Sequence, residues 1–185
     1  MVVAVVGRSG SGKTVVIEYL VGQFSAEGYS VGAVKHVHHK GFTMDAEGKN
    51  TWRYAQAGAR VIAAISPDEV AIIRKIVHDV GSFDRVIGTL KKKEEGLDII
   101  FVEGYHELVA KRVDVVKIVV AKDEDVLQDT LCGIVEPVIA LSGLIAENSS
   151  TAFIQGYPVI EVPKEGKKLV ELIKRQLVIQ KGSGD

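Results

Sequence analysis

At 185 residues the chain is long enough to bury a core of its own, and it reads as one domain over residues 1–180 with a frayed tail at 181–185. Apolar residues make up 46% and charged residues 25%, the balance of a folded globular protein, and a net charge of -1 gives no pull toward nucleic acid or an anionic membrane. No apolar run approaches the length of a membrane span, and the single Cys132 excludes an intrachain disulfide or thiolate cluster, which suits a cytoplasmic setting.

The opening run Val2-Val3-Ala4-Val5-Val6 reads as a buried strand; it has no basic flank and is too short for a secretory signal. Next come Gly7, Arg8, Ser9, Gly10, Ser11, Gly12, Lys13 and Thr14, the pattern Gly-x4-Gly-Lys-[Ser/Thr]. Over 14–27, Val16, Ile17, Leu20, Val21 and Phe24 recur at helical spacing. Strand, glycine loop and helix together form the context of a phosphate-binding loop. Glycines let successive N–H groups turn inward around phosphate oxygens, and the helix N-terminus adds partial positive charge. Lys13 is expected to reach the terminal phosphates and the Thr14 hydroxyl to take one position on Mg²⁺.

Residues 31–34 read as a second buried strand. The polar stretch 35–50 follows as a long loop, with hinge glycines Gly41 and Gly48. It carries Lys35-His36-Val37-His38-His39, and Asp45 beyond. Leaving the ligand-facing end of a strand, the loop is expected to sense the terminal phosphate, with Lys35 as a charge partner and Asp45 near Mg²⁺. A zinc site on the histidines is an alternative whose spacing matches no closed site. Thr51 is a plausible N-cap for a short helix ending at Gly58. Residues 61–65 and 69–74, split by Ser66-Pro67-Asp68, read as a β-hairpin. A helix is expected over 82–95, its far end Lys91-Lys92-Lys93-Glu94-Glu95 solvated, and His78 reads as a surface residue.

Residues 97–102 form the most apolar strand, ending at Glu103-Gly104. An acidic residue there is carried to the mouth of the sheet beside the phosphate loop, where it can act through Mg²⁺. Lys13 and Glu103 are therefore the candidate catalytic pair. The metal set is Thr14, Asp45 and Glu103. Strands at 115–120, 138–141 and 159–162 and a helix at 167–179 complete the pattern. The fold expected is α/β of the phosphate-loop NTPase type: a mostly parallel sheet with helices on both faces and a hairpin insertion.

Four segments resemble the molybdopterin-guanine dinucleotide biosynthesis protein B family. They are the loop from Gly7 to Thr14, the Lys35-His36-x-His38-His39 run, the stretch from Asp45 through Gly48-Lys49-Asn50-Thr51-Trp52-Arg53 to Ala57-Gly58-Ala59, and Val102-Glu103-Gly104-Tyr105. The family commonly has Asp where Asn50 stands and Lys where His106 stands. The resemblance implies a GTP-binding protein with weak, Mg²⁺-dependent GTPase activity. Such proteins act beside the guanylyltransferase that joins GMP to molybdopterin, and they are typically homodimers. A small-molecule kinase on the same fold and a non-catalytic, nucleotide-gated adaptor are the alternatives. Guanine preference rests on the resemblance; the segment Ala140-Leu141-Ser142-Gly143 is a positional guess for a base-contacting loop.

Overall fold

A computed structural model describes residues 1–75, 82–92 and 96–182. The chain forms two compact units, one of residues 1–36 and 90–185 and the other of residues 37–89.

In chain order the first unit begins with β1 (Val2–Val6), α1 (Lys13–Ala26) and β2 (Val31–Lys35). The second unit holds α2 (Asn50–Gln56), β3 (Val61–Ile65), β4 (Val70–Arg74) and most of α3 (Ser82–Leu90). The chain then returns through β5 (Ile99–Glu103), α4 (His106–Val109), β6 (Val116–Val120), α5 (Glu124–Leu131), β7 (Val138–Ser142) and α6 (Leu144–Asn148). It closes with β8 (Phe153–Ile154), β9 (Tyr157–Pro158) and α7 (Gly166–Gly182).

The first unit is built on a parallel five-stranded sheet in the order β2-β5-β1-β6-β7. Every residue of β1 and β6 is buried, so both alternating sets of side chains are covered, as the apolar run of β1 requires; β6 carries one polar residue, Lys117. On one face Val3, Val5, Phe101 and Ile118 pack with Val16, Leu20 and Phe24 of α1 and Leu169 and Ile173 of α7. Phe24 anchors this layer, its ring edge-on to Tyr29 and tilted against Phe101. β2 is one of the two edge strands and is only partly covered. Among the described residues, no helix is long and apolar enough to cross a membrane.

The fold is the expected phosphate-loop type, and the hairpin β3–β4 forms as an antiparallel pair with Val61 opposite Arg74 and Ile65 opposite Val70. Four details differ from the sequence reading. α2 starts at Asn50 with Lys49 as its N-cap, because the Thr51 hydroxyl donates instead to Asp45 Oδ1 at 2.9 Å. α3 ends at Leu90, while Lys93, Glu94, Glu95 and His78 lie outside the described residues. The apolar segment 159–162 is not a strand: it touches β7 through one bridge, Leu141 to Val159, and runs into Pro163, which has no N–H for a ladder. The short helices α4, α5 and α6 are additional elements, too brief to show a helical period in the sequence.

Candidate functional site

The parallel register carries the C-terminal ends of β1, β5 and β2 to one edge of the sheet. Val5 pairs with Glu103, and Glu103 with Lys35. The loop 7–12 leaves β1 at this edge. A Cβ at Gly7 would lie 2.0 Å from the carbonyl oxygen of Val120 in β6, so the loop can turn off β1 only with glycine there. At its far end Gly12 takes a left-handed φ of 94° as the N-cap of α1, and no side chain caps the helix. The N–H groups of the first turn are thus left to an external acceptor, and the helix dipole favours an anion at that spot.

Lys13 bends back across the loop it follows. Its Nζ donates to the carbonyl oxygens of Gly7 at 3.0 Å and Arg8 at 2.7 Å. Partial burial lowers its pKa from the ordinary lysine value; the nearby Glu103 carboxylate opposes that shift and the Lys35 ammonium adds to it. Glu103 joins two elements. Its Oε2 accepts a long hydrogen bond from Thr14 Oγ1 at 3.4 Å, and its Oε1 is 3.0 Å from Lys35 Nζ. Ser9 and Gly10 stand exposed at the crest of the loop. Ser11 is buried, and its Oγ makes no hydrogen bond among the described residues.

The structure thus brings Lys13, Thr14, Glu103 and Lys35 together. It draws Arg8 away from the loop mouth, with a guanidinium nitrogen 2.9 Å from Asp129 Oδ2 in α5. Asp45 belongs to the other unit, where Oδ1 accepts from Thr51 Oγ1 and from the Ala46 N–H at 3.0 Å, closing the turn before α2. The oxygen set supplied by the first unit alone is therefore Thr14 and Glu103. His36 is the last residue of the first unit; His38 and His39 belong to the second and are exposed. Among the described residues, no group of three or more His, Cys, Asp or Glu side chains gathers where it could hold a metal ion.

Two features escape a reading of the sequence. Gly143, just past β7, presses on the phosphate loop: a Cβ there would lie 2.2 Å from the Ser11 carbonyl oxygen and 2.5 Å from Val120 Cγ1. The guess of a base-contacting segment at 140–143 fares differently residue by residue. Ala140, Leu141 and Ser142 are buried in β7, and the Ser142 hydroxyl donates inward to the Ile160 carbonyl at 2.7 Å. A visible signal exists, since β1, β5 and β7 each run straight into a glycine: Gly7, Gly104 and Gly143. The second feature is a stack beside the Lys35–Glu103 pair. The His36 and Tyr105 rings lie 4.0 Å apart and 14° from parallel, and the His36 N–H donates to the Glu103 carbonyl at 3.0 Å. Next to Tyr105, burial lowers the pKa of His106, with Glu107 opposing.

Comparison with known proteins places this geometry in context. Residues 2–137 match the family model described as molybdopterin guanine dinucleotide synthesis protein B. A molybdopterin-guanine dinucleotide biosynthesis adapter protein of Haemophilus influenzae is 30% identical over 109 residues, 56% of this chain and 56% of that protein. Its Escherichia coli counterpart is 32% identical over 106 residues, 57% of this chain and 59% of that protein. The chain therefore spans somewhat over half the length of these relatives. Among solved structures, Bacillus subtilis MobB superposes with a TM-score of 0.67 at 23% identity, covering 92% of this chain and 96% of that one. A MobB homologue from Bacillus stearothermophilus gives 0.64 at 20% identity, covering 96% and 98%. At such identities the structural likeness speaks to the fold.

Proposed function

The chain belongs to the molybdopterin guanine dinucleotide synthesis protein B family, and on that premise we propose that it binds GTP with Mg²⁺ and hydrolyses it slowly. The step it serves is the attachment of GMP to molybdopterin, beside a guanylyltransferase. The observation that carries the nucleotide reading is the convergence of an uncapped helix N-terminus, Lys13, Thr14 and Glu103 at one edge of a parallel sheet. The groups fit a magnesium–triphosphate: glycine at position 7 lets the loop leave β1 tight against Val120, and the hydroxyl and carboxylate are hard oxygen donors of the kind Mg²⁺ takes. When bound, Mg²⁺ supplies charge neutralisation across the terminal phosphates. Around it, the loop N–H groups and Lys13 hold the phosphate oxygens, and Thr14 and Glu103 orient the metal side.

Slow turnover follows from what the side chains already do. Phosphoryl transfer to water needs a positioned water and a cation at the transferring group. Glu103 faces Thr14 on the metal side and Arg8 pairs with Asp129, so neither stands at the transferring phosphate as base or arginine finger. A nucleotide-gated adaptor is the second reading, favoured by the word adapter in the relatives' names. One titration tests both: GTP, ATP and their diphosphates, with and without Mg²⁺, on the unaltered chain and on Lys13→Ala. The nucleotide reading expects Lys13→Ala to weaken triphosphate binding by about 2 kcal/mol, because the substitution deletes a charge-assisted hydrogen bond to phosphate. An unchanged dissociation constant overturns it. Tight GTP binding with no phosphate release selects the adaptor.

A homodimer is part of the proposal. Val61, Ala63 and Ile65 of β3 and Val70 and Ile72 of β4 share one face of the hairpin, and all are exposed. A two-stranded ribbon with an apolar face open to water is marginal alone, which supports its burial against a second copy.

A further inference from the structure

The Lys35–Glu103 pair has a chemistry that the phosphate loop does not itself require. Glu103 has a side chain only 16% exposed, so its carboxylate needs a cation beside it whether or not a ligand is bound. Lys35 meets that need from the edge of the sheet, and its placement is set by the backbone. Lys35 sits directly opposite Glu103 in the parallel ladder. The next residue is clipped twice, to the strand by the His36 N–H on the Glu103 carbonyl and just beyond it by the His36–Tyr105 stack. The ammonium itself is not trapped, since the Lys35 side chain is 60% exposed. A clipped backbone and a half-solvated head group make a cation that always reaches this carboxylate and is cheap to release.

We infer that Lys35 is the resident counter-cation of Glu103, competing with Mg²⁺ for that carboxylate and moving to the terminal phosphate when a magnesium–triphosphate binds. The inference rests on the nucleotide reading above and adds to it a regulation of the same site. One oxygen of Glu103 already faces the expected metal ligand, Thr14, and the other faces Lys35. A divalent ion on the Thr14 side satisfies the carboxylate, and the freed ammonium then finds its nearest new anion in the phosphates that Lys13 also approaches. A diphosphate lacks the third phosphate that the exchange needs, so Lys35 stays on Glu103. The charge state of the nucleotide is thereby read one residue before the first unit's segment ends at His36.

The test measures the Mg²⁺ concentration that half-saturates binding of a fluorescent, non-hydrolysable GTP analogue to the full chain. Lys35→Met removes the competitor and is expected to lower that concentration by about three- to fivefold, the scale of a solvent-screened ion pair. Lys35→Arg keeps the charge and should stay near the unaltered chain. In a Glu103→Gln background, Lys35→Met should no longer lower the Mg²⁺ requirement, and the lost contact with the terminal phosphate should show only as weaker analogue binding. If Lys35→Met fails to fold by circular dichroism, Lys35→Gln is read in its place. An unchanged Mg²⁺ requirement in Lys35→Met, or an equal change with and without Glu103, overturns the exchange while leaving nucleotide binding intact. No analogue binding by the unaltered chain overturns both the nucleotide reading and this one.

Discussion

Gly143→Ala puts a methyl group against the phosphate loop from a strand far away in sequence. The new Cβ meets the Ser11 carbonyl oxygen at 2.2 Å, Val120 Cγ1 at 2.5 Å and the Ala121 carbonyl oxygen at 3.0 Å. Two of these are backbone atoms of packed elements, which cannot swing aside as a side-chain tip can. Gly143 also holds φ 87° and ψ -159°, a region that only glycine occupies readily. Backbone strain of about 1–3 kcal/mol and overpacking of similar size together give a destabilisation of about 2–6 kcal/mol. In a protein of this size that is a fall of roughly 10 °C in the melting temperature, at about 2–4 °C per kcal/mol. Gly133→Ala is the control. Gly133 has φ 76° with open space around it, so alanine there costs only the left-handed penalty, about 1–2 kcal/mol. The melting difference between the two variants isolates the clash. Displacing the Ser11 carbonyl should also weaken the proposed GTP binding by about tenfold, a cost of about 1.4 kcal/mol on the loop geometry. If Gly143→Ala melts with Gly133→Ala and binds GTP as the unaltered chain does, the β7 exit does not shape the loop.

Lys117, fully buried in β6, donates from Nζ to the carbonyls of Arg112 at 2.5 Å, Val115 at 3.0 Å and Val135 at 2.9 Å. Lys117→Met strands three acceptors at about 1 kcal/mol or more each, so the urea midpoint should drop by the equivalent of about 3 kcal/mol; an unmoved midpoint contradicts this. His106 has its pKa lowered from 6.5 by burial, so below that pH the unfolded chain binds more protons than the folded one and stability falls as pH drops. His106→Gln should flatten the stability–pH curve below pH 6.5, and matching slopes would remove His106 from the account. Ile72→Asp, at a position 65% exposed on the hairpin, tests the proposed homodimer: where the unaltered chain sediments as a dimer the variant should be a folded monomer, and a retained dimer locates the interface elsewhere.

The local features of this chain are legible in its sequence because their causes are local. The phosphate loop is written in consecutive residues, and its glycines adopt the conformations that their missing side chains permit. Two apolar runs split by Ser66-Pro67-Asp68 mark the hairpin, and apolar runs mark β1, β5 and β6 as inner strands, β6 in spite of Lys117. Glu103 can be assigned to the loop's neighbourhood because a parallel strand delivers its last residue to the ligand-facing edge. What only the tertiary structure decides is which partner each charged group takes. Arg8 goes to Asp129, 121 residues away, Lys35 to Glu103, and Lys117 into the apolar strand to reach three carbonyls. Each choice depends on strand order, and the order β2-β5-β1-β6-β7 sets side by side elements that the chain separates by the whole second unit. The same holds for Gly143, whose need for glycine arises from the Ser11 carbonyl and not from its own neighbours. Conformational freedom is a property of single residues, whereas pairing and close approach are properties of the packed sheet.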